Sequence, residues 1–461
     1  MTVQPFVSPD LIRQRFSKAM SDMYREEVPL YGALMELVEQ TNRSVLDRDT
    51  QIARQLESTG EIERLDMERH GAIRVGTATE LATLARLFAV MGMQPVGYYD
   101  LTPAGVPVHS TAFRAVHEDS LQVSPFRVFT SLLRLELIKD PELRTFAESV
   151  LAKRSIFTPT ALRLISQAET AGGLTESEAQ EFVLQALETF RWHHSATVTA
   201  AQYQTLSAQH RLIADVVAFK GPHINHLTPR TLDIDRVQEQ MPAHGITPKA
   251  VIEGPPRRQC PILLRQTSFK ALDEQIAFTD QDEIRGSHSA RFGEIEQRGA
   301  ALTPKGRALY DLLLNAARDE LGDFPNEANA ARYNALMTQH FGEFPDSVEG
   351  MREQGLAYFR YFATEKGLAA GGLGDASLEQ LLRDGYVKAE PLVYEDFLPV
   401  SAAGIFQSNL GDAAQTHYGE HSNRQALEQA LGRATIDELG LYAETQKRSI
   451  DESLAALSGN R

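Results

Sequence analysis

Three short segments, far apart in the chain, carry residue types that could do chemistry together. They are Glu68-Arg69-His70-Gly71-Ala72-Ile73-Arg74, His223-Ile224-Asn225-His226-Leu227-Thr228-Pro229-Arg230 and Arg291-Phe292-Gly293-Glu294-Ile295-Glu296-Gln297-Arg298. Two neutral imidazoles and one carboxylate on one face of a metal leave the opposite face open. Non-haem Fe(II) oxygenases use that arrangement to bind O2 beside a chelating substrate. Spacing alone does not choose between His223 and His226. Glu294 and Glu296 share a strand face, so one can ligate while the other pairs with Arg291 or Arg298. An ordinary ion pair along the strand fits the same spacing.

Most of the 13 histidines sit in bland surroundings. His117, His244, His340, His417 and His421 lie in polar, turn-like contexts. His193 and His194 follow a helical stretch, where they would complement its dipole. His109 alternates with Ser110 in a strand and is a candidate to line a cavity. Arg230, Arg257, Arg258 and Arg265 are concentrated around the second segment. They read either as a solvated basic face or as a clamp for a dicarboxylate, which arginine grips with two parallel hydrogen bonds. No P-loop, dinucleotide fingerprint, nucleophile elbow or HExxH motif is present.

The elements that must position these residues follow from periodicity. Residues 9–57 read as helices, with Leu11, Phe16, Met20, Met23 and Tyr24 at helical spacing. Residues 70–76 alternate, so His70, Ala72 and Arg74 face one side and Ile73 and Val75 the other. Thr77 with Glu80 completes a capping box for the next helix, which Gly92 ends. Strands follow at 94–100, 106–116 and 126–133, the last overlapping a possible helix at 131–137. The stretch 138–210 is helical. From 211 the order returns: a strand over 212–219, then 225–228, a helix capped by Asp233 or Asp235, and strands over 249–253, 261–267 and 290–296. Both halves thus run strand, helix, several strands, with a histidine on or beside the first strand. Residues 303–317 form a helix, 318–380 are mostly helical, and 394–406 is unusually apolar for a loop.

The predicted organisation is a helical segment over 1–69, a first β module over 70–137, a helical insertion over 138–210, a second β module over 211–300 and a helical region over 301–461. The class is α+β, with paired strand-helix-strand modules making one curved core wrapped by helices. Paired modules of this kind commonly enclose one shared cavity.

Composition bounds the partners. At 42% hydrophobic and 23% charged residues the chain is an ordinary globular one, and no run of eighteen apolar residues predicts a membrane span. The first nine residues lack a secretory pattern, and the single cysteine, Cys260, fits a reducing cytoplasm. One thiol also leaves any metal to His, Asp and Glu. A formal net charge of -16 argues against nucleic acid as a partner. An anionic substrate would need arginines placed locally against that field.

At these same residues the chain resembles the 2-oxoadipate dioxygenase/decarboxylase family, also called 2-hydroxyglutarate synthases, a family distantly related in fold to the vicinal oxygen chelate enzymes. The matching stretches include ERHGAIRVGTATELA from Glu68, YYDLTPAGVPVHSTAFR from Tyr98, PFRVFTSLLRLELI from Pro125, HINHLTPRTLDIDRVQ from His223, ARFGEIEQRGAALTPKGR from Ala290 and YEDFLPVSAAGIFQSNLG from Tyr394. The resemblance implies a vicinal-oxygen-chelate-like β core and Fe(II) held by His70, His226 and Glu294. His70 would also touch the substrate, Arg74 would bind it as a catalytic residue, and Val400 and Ser401 would contact it. The implied reaction converts 2-oxoadipate and O2 into 2-hydroxyglutarate and CO2, in lysine catabolism. A metal-dependent lyase or isomerase acting on a 2-oxo acid without O2 is the alternative, and a ligand-binding protein with a degenerate site is a third.

Overall fold

The computed structural model describes residues 5–280, 286–289, 291–398 and 420–459. The strands are β1 (Arg69–Val75), β2 (Gln94–Asp100), β3 (Val108–Arg114), β4 (Phe126–Leu133), β5 (His226–Pro229), β6 (Leu264–Ser268), β7 (Asp273–Ile276), β8 (Gly286–Ser289), β9 (Phe292–Arg298), β10 (Phe359–Ala363) and β11 (Val387–Pro391). Seven of them form one curled sheet in the order β2-β3-β4-β1-β5-β9-β6. The two modules are therefore halves of a single sheet, within a mixed α+β architecture.

The halves mirror each other about the seam between β1 and β5, which pair antiparallel with His70 opposite Thr228. On one side β1 pairs parallel with β4, and β4 antiparallel with β3. On the other, β5 pairs parallel with β9, and β9 antiparallel with β6. Each parallel pair requires a crossover, which helix Ala78–Val90 begins in the first half and helix Ile234–Gln240 in the second. Both starts are capped as the sequence indicates. Thr77 accepts from the Glu80 N–H, Glu80 reaches back to the Thr77 N–H, and Asp233 accepts from the Arg236 N–H.

Every residue of β1 is buried, because both faces of the sheet are covered. Ile73 and Val75 join one core with Phe16, Leu84 and Val128, under the helices Pro9–Glu27 and Ala78–Val90. Ala72 points to the opposite core, with Val108, Ala112 and Phe129. Fully burying side chains of the larger kinds contributes about 1.5–3 kcal/mol each.

Several expected elements differ. Residues 212–219 are not a strand: Arg211–Val217 is a helix, with the His210 ring accepting from the Leu212 N–H at 3.1 Å. All six residues from Leu212 to Val217 are buried, and a short segment buried on every side carries no period to tell helix from strand. The repeat survives because β5, not 212–219, is the first strand of the second half. Residues 249–253 make only isolated bridges. Chain 261–267 becomes a strand only at Leu264, since Leu263 sits at φ 51°, outside extended geometry. The hairpins β7–β8 and β10–β11 were not anticipated. Residues 131–137 end in a strand and a short 3-10 turn rather than a helix.

Candidate metal centre

His70 on β1, His226 on β5 and Glu294 on β9 converge at the seam, all completely buried. His70 Nε2 lies 3.0 Å from Glu294 Oε1, and His226 Nε2 lies 3.9 Å from the same oxygen. The imidazole rings stand perpendicular with centroids 5.4 Å apart. Phe397 covers His70 edge-on at 5.0 Å, and Phe292 lies 5.0 Å from His226.

The donor set fits a divalent ion. Among the described residues, both nitrogens of His226 and Oε2 of Glu294 are buried without a hydrogen-bond partner. A buried polar atom left unpaired costs about 1–3 kcal/mol, so unpaired atoms on two neighbouring ligand-type residues suggest an ion between them. Burial, helped by the charges of His70 and Arg74, holds His226 well below its usual pKa, so the ring is neutral with a lone pair to give. Burial also raises Glu294, a strain that a cation at Oε2 would relieve.

The neighbours orient these ligands. Glu294 Oε1 accepts from Gln266 at 2.7 Å and Thr228 at 3.1 Å. His70 Nδ1 lies 2.8 Å from Glu296 Oε2. Arg298 grips Glu296 with two contacts of 2.8 Å. Burial opposes ionisation of Glu296, but Arg298 and His70 outweigh it and hold its pKa at about 2. An ionised Glu296, 2.8 Å from Nδ1 but off the line of its N–H, favours a proton there and leaves Nε2 for the metal side. So Glu294 faces the cluster and Glu296 takes the pairing role, with Arg298 rather than Arg291 as its partner.

His223 is set apart from this cluster. It joins Asp215 and His288 in a second buried group, with its Nε2 3.3 Å from Asp215 Oδ1. Arg74 donates to Asp215 Oδ2 at 2.7 Å. Glu68 and Glu80, the carboxylates nearest Arg74 in sequence, are instead held by Arg64, Arg127 and Arg230, and by Arg154. Sequence reasoning passed over Asp215 and His288. A lone carboxylate inside the apolar run 212–217 was the available signal. Val400 and Ser401 lie outside the described residues.

The remaining candidates have structural partners. His194 Nδ1 accepts the Trp192 indole N–H, beyond the end of the helix Glu176–Leu187, so the dipole role does not apply. His109 Nδ1 meets the Asn423 carbonyl at 3.3 Å. Arg230 pairs with Glu61 and Glu68, Arg265 with Asp235, and Arg258 with the carbonyls of Phe344 and Pro345. Arg257 is exposed. A cavity of about 450 Å³ opens beside these arginines, but none of His70, His226 or Glu294 lines it.

Residues 16–409 match the family model described as 2-oxoadipate dioxygenase/decarboxylase. A 2-oxoadipate dioxygenase/decarboxylase of Pseudomonas putida is 68% identical over 460 residues, covering 99% of each chain. The Escherichia coli protein of the same description is 56% identical over 446 residues, covering 96% of this chain and 98% of its own. The crystal structure of a Pseudomonas putida hydroxyglutarate synthase in complex with 2-oxoadipate superposes with a TM-score of 0.92 at 67% identity, covering 99% of this chain and all of the other.

Proposed function

The chain belongs to the 2-oxoadipate dioxygenase/decarboxylase family, and from that premise we propose that it is an Fe(II) enzyme converting 2-oxoadipate and O2 into 2-hydroxyglutarate and CO2. The atoms balance, with both oxygens of O2 ending in 2-hydroxyglutarate and the CO2 coming from the substrate's own carboxylate. The single observation that carries the reading is the buried trio of His70, His226 and Glu294, whose ligand atoms lie within 4.8 Å of one another, with both nitrogens of His226 unpaired among the described residues. A complex of a close relative with 2-oxoadipate supports the substrate. The setting proposed is lysine catabolism in the cytoplasm. Among the described residues no helix is long and apolar enough to cross a membrane.

Bound Fe(II) supplies the redox chemistry that lets O2 react with a closed-shell organic acid. The protein does the rest. His70, His226 and Glu294 hold the metal from three strands of one sheet, so their spacing is set by backbone pairing. The charge of Glu296 beside Nδ1 favours the tautomer of His70 that leaves Nε2 free. Phe397 and Phe292 close the apolar side of the site and keep water from it. Arg74, four residues along β1 from His70, offers a guanidinium to a substrate carboxylate. Its positive charge also helps to keep His226 neutral, which supports a role near the centre. Val400 and Ser401 are proposed as further substrate contacts.

The test is turnover of 2-oxoadipate by protein reconstituted anaerobically with Fe(II), then exposed to 18O2. Equal amounts of O2 consumed, CO2 released and 2-hydroxyglutarate formed are expected, with two labelled oxygens in the product. Consumption of 2-oxoadipate at an undiminished rate without O2 would sink the oxygenase reading in favour of a lyase or isomerase.

A further inference from the structure

Arg74 shares β1 with His70 of one buried cluster and pairs with Asp215 of another. One is the metal centre. The other gathers residues from four further places in the chain. Asp215 comes from helix Arg211–Val217, His223 from the approach to β5, His288 from β8 and Tyr203 from helix Ala200–Gln209. Asp215 Oδ2 accepts from Arg74 at 2.7 Å. Asp215 Oδ1 lies 2.9 Å from His288 Nε2 and 3.3 Å from His223 Nε2. The Tyr203 hydroxyl meets His288 Nδ1 at 2.7 Å, and Asn225 Nδ2 lies 3.2 Å from His223 Nε2. The Trp192 ring lies parallel to His288 at 6.0 Å and edge-on to His223 at 4.7 Å.

The Asp215, His223 and His288 ligand atoms are close enough together for a metal. Two contrasts with the first cluster argue otherwise. Here the imidazole nitrogens that meet Asp215 and the carboxylate itself already have partners inside the protein, whereas both nitrogens of His226 have none among the described residues. And a guanidinium cation already neutralises the same carboxylate through its other oxygen, Oδ2.

What the cluster does do is hold Arg74. An arginine side chain has four rotatable bonds, and a group that must meet a ligand has to be held within about 0.5 Å of its productive place. Asp215 fixes one Nη1 of the planar fork, and His288, backed by Tyr203, fixes Asp215. We propose that Asp215 is a positioning residue: with His288 it aims Arg74 at the carboxylate of a 2-oxo dicarboxylate bound at the metal centre, and so sets the chain length accepted. This rests on the reading of Arg74 as the substrate's arginine.

Steady-state kinetics of Asp215→Asn, His288→Gln, His288→Ala, Tyr203→Phe and Arg74→Ala test it, with five-, six- and seven-carbon 2-oxo dicarboxylates and with metal content measured. Asp215→Asn should raise KM for 2-oxoadipate about tenfold or more, the scale of effect a misplaced orienting group produces. It should flatten the preference among chain lengths and keep one metal per chain. His288→Gln, whose amide can still donate to Asp215, should retain most of the function that His288→Ala loses. Tyr203→Phe should raise KM about threefold, the effect of losing one ordinary hydrogen bond, and it carries the test if Asp215→Asn does not fold. Unchanged KM and unchanged chain-length preference in these variants, while Arg74→Ala raises KM, would overturn the proposal alone. An unchanged KM in Arg74→Ala would remove the reading of Arg74 beneath it. A second metal ion in the wild type that Asp215→Asn loses would overturn positioning in favour of a second metal site.

Discussion

At the scale of single residues, the site separates ligands from the groups that orient them. His226 has unpartnered nitrogens, while His223 three residues earlier is committed to Asp215. Alanine at His70, His226 or Glu294 should therefore abolish metal binding, measured by metal analysis of folded protein. His223→Ala should keep the metal, and the reverse pattern would exchange the two roles. Glu296 is expected to matter without ligating. Replacing it with glutamine loosens the anchor on His70 Nδ1, and metal affinity should fall about 10–100-fold, the usual effect of losing such a partner. Competition with a chelator of known affinity measures it, and an unchanged affinity would show that Glu296 serves only Arg298.

Elements hold these residues through close backbone approach. Gly71 lies at the seam beside His70, where an added Cβ would sit 2.6 Å from Ile224 Cδ1 and 3.0 Å from the carbonyl oxygen of His226. Gly71→Ala crowds the tip of Ile224 and presses on the β5 backbone at His226, which is expected to shift that strand by a few tenths of an ångström. Overpacking of this kind costs about 1–3 kcal/mol, and the variant should show both a lower Tm and weaker metal binding. A lower Tm with unaltered metal affinity would mean that the strain relaxes away from the site. Helix Glu438–Ser458 carries a pH dependence of its own. Burial, aided by the charge of Asp396, raises the Glu438 pKa to about 7. The folded state then binds a proton more tightly than the unfolded chain, so stability falls as pH rises from the ordinary carboxylate range through about 7. Thermal unfolding between pH 5 and 8 should show that slope, and Glu438→Gln should reduce it; an identical slope in the variant would exclude Glu438 as its source.

Across the whole molecule, a buried charge network ties the sheet to the chain around it. Glu68, fully buried, meets Arg64 at 3.3 Å, Arg127 at 2.9 Å, Arg230 at 3.1 Å and Arg298 at 3.5 Å. Glu395 joins Arg64 and Arg127 from the far end of the sequence. Burial opposes ionisation of Glu68, yet these arginines keep its pKa well below the carboxylate range. Its contribution to stability is therefore present above the ordinary carboxylate pKa and is lost as pH falls through the depressed one. Removing one partner from a buried network leaves uncompensated charge and costs about 3–5 kcal/mol. Glu68→Ala should lose that much in denaturant unfolding at neutral pH, and a loss under 1 kcal/mol would show the arginines finding water instead.

The sequence by itself determined the strands that carry His70, His226 and Glu294, and the two faces of β1. Alternation over 70–76 and the cap at Thr77 are local physics, legible without neighbours, while the structure chose Asp233 over Asp235 for the second cap. The sequence also left Glu294 and Glu296 on one face, with the choice between their roles open. That choice belongs to tertiary structure, because only the antiparallel seam of β1 with β5 brings His70 Nδ1 to Glu296 and Nε2 towards Glu294. The helix Arg211–Val217 was misread for a related reason. Its side chains are buried on every side, so nothing in its pattern records which neighbours bury it. Asp215 and His288, 73 residues apart, meet only through that helix and the β7–β8 hairpin, and no spacing along the chain announces such a pair. Local periodicity and capping are written in consecutive residues, whereas a site built across a seam is written in the packing of elements distant in sequence.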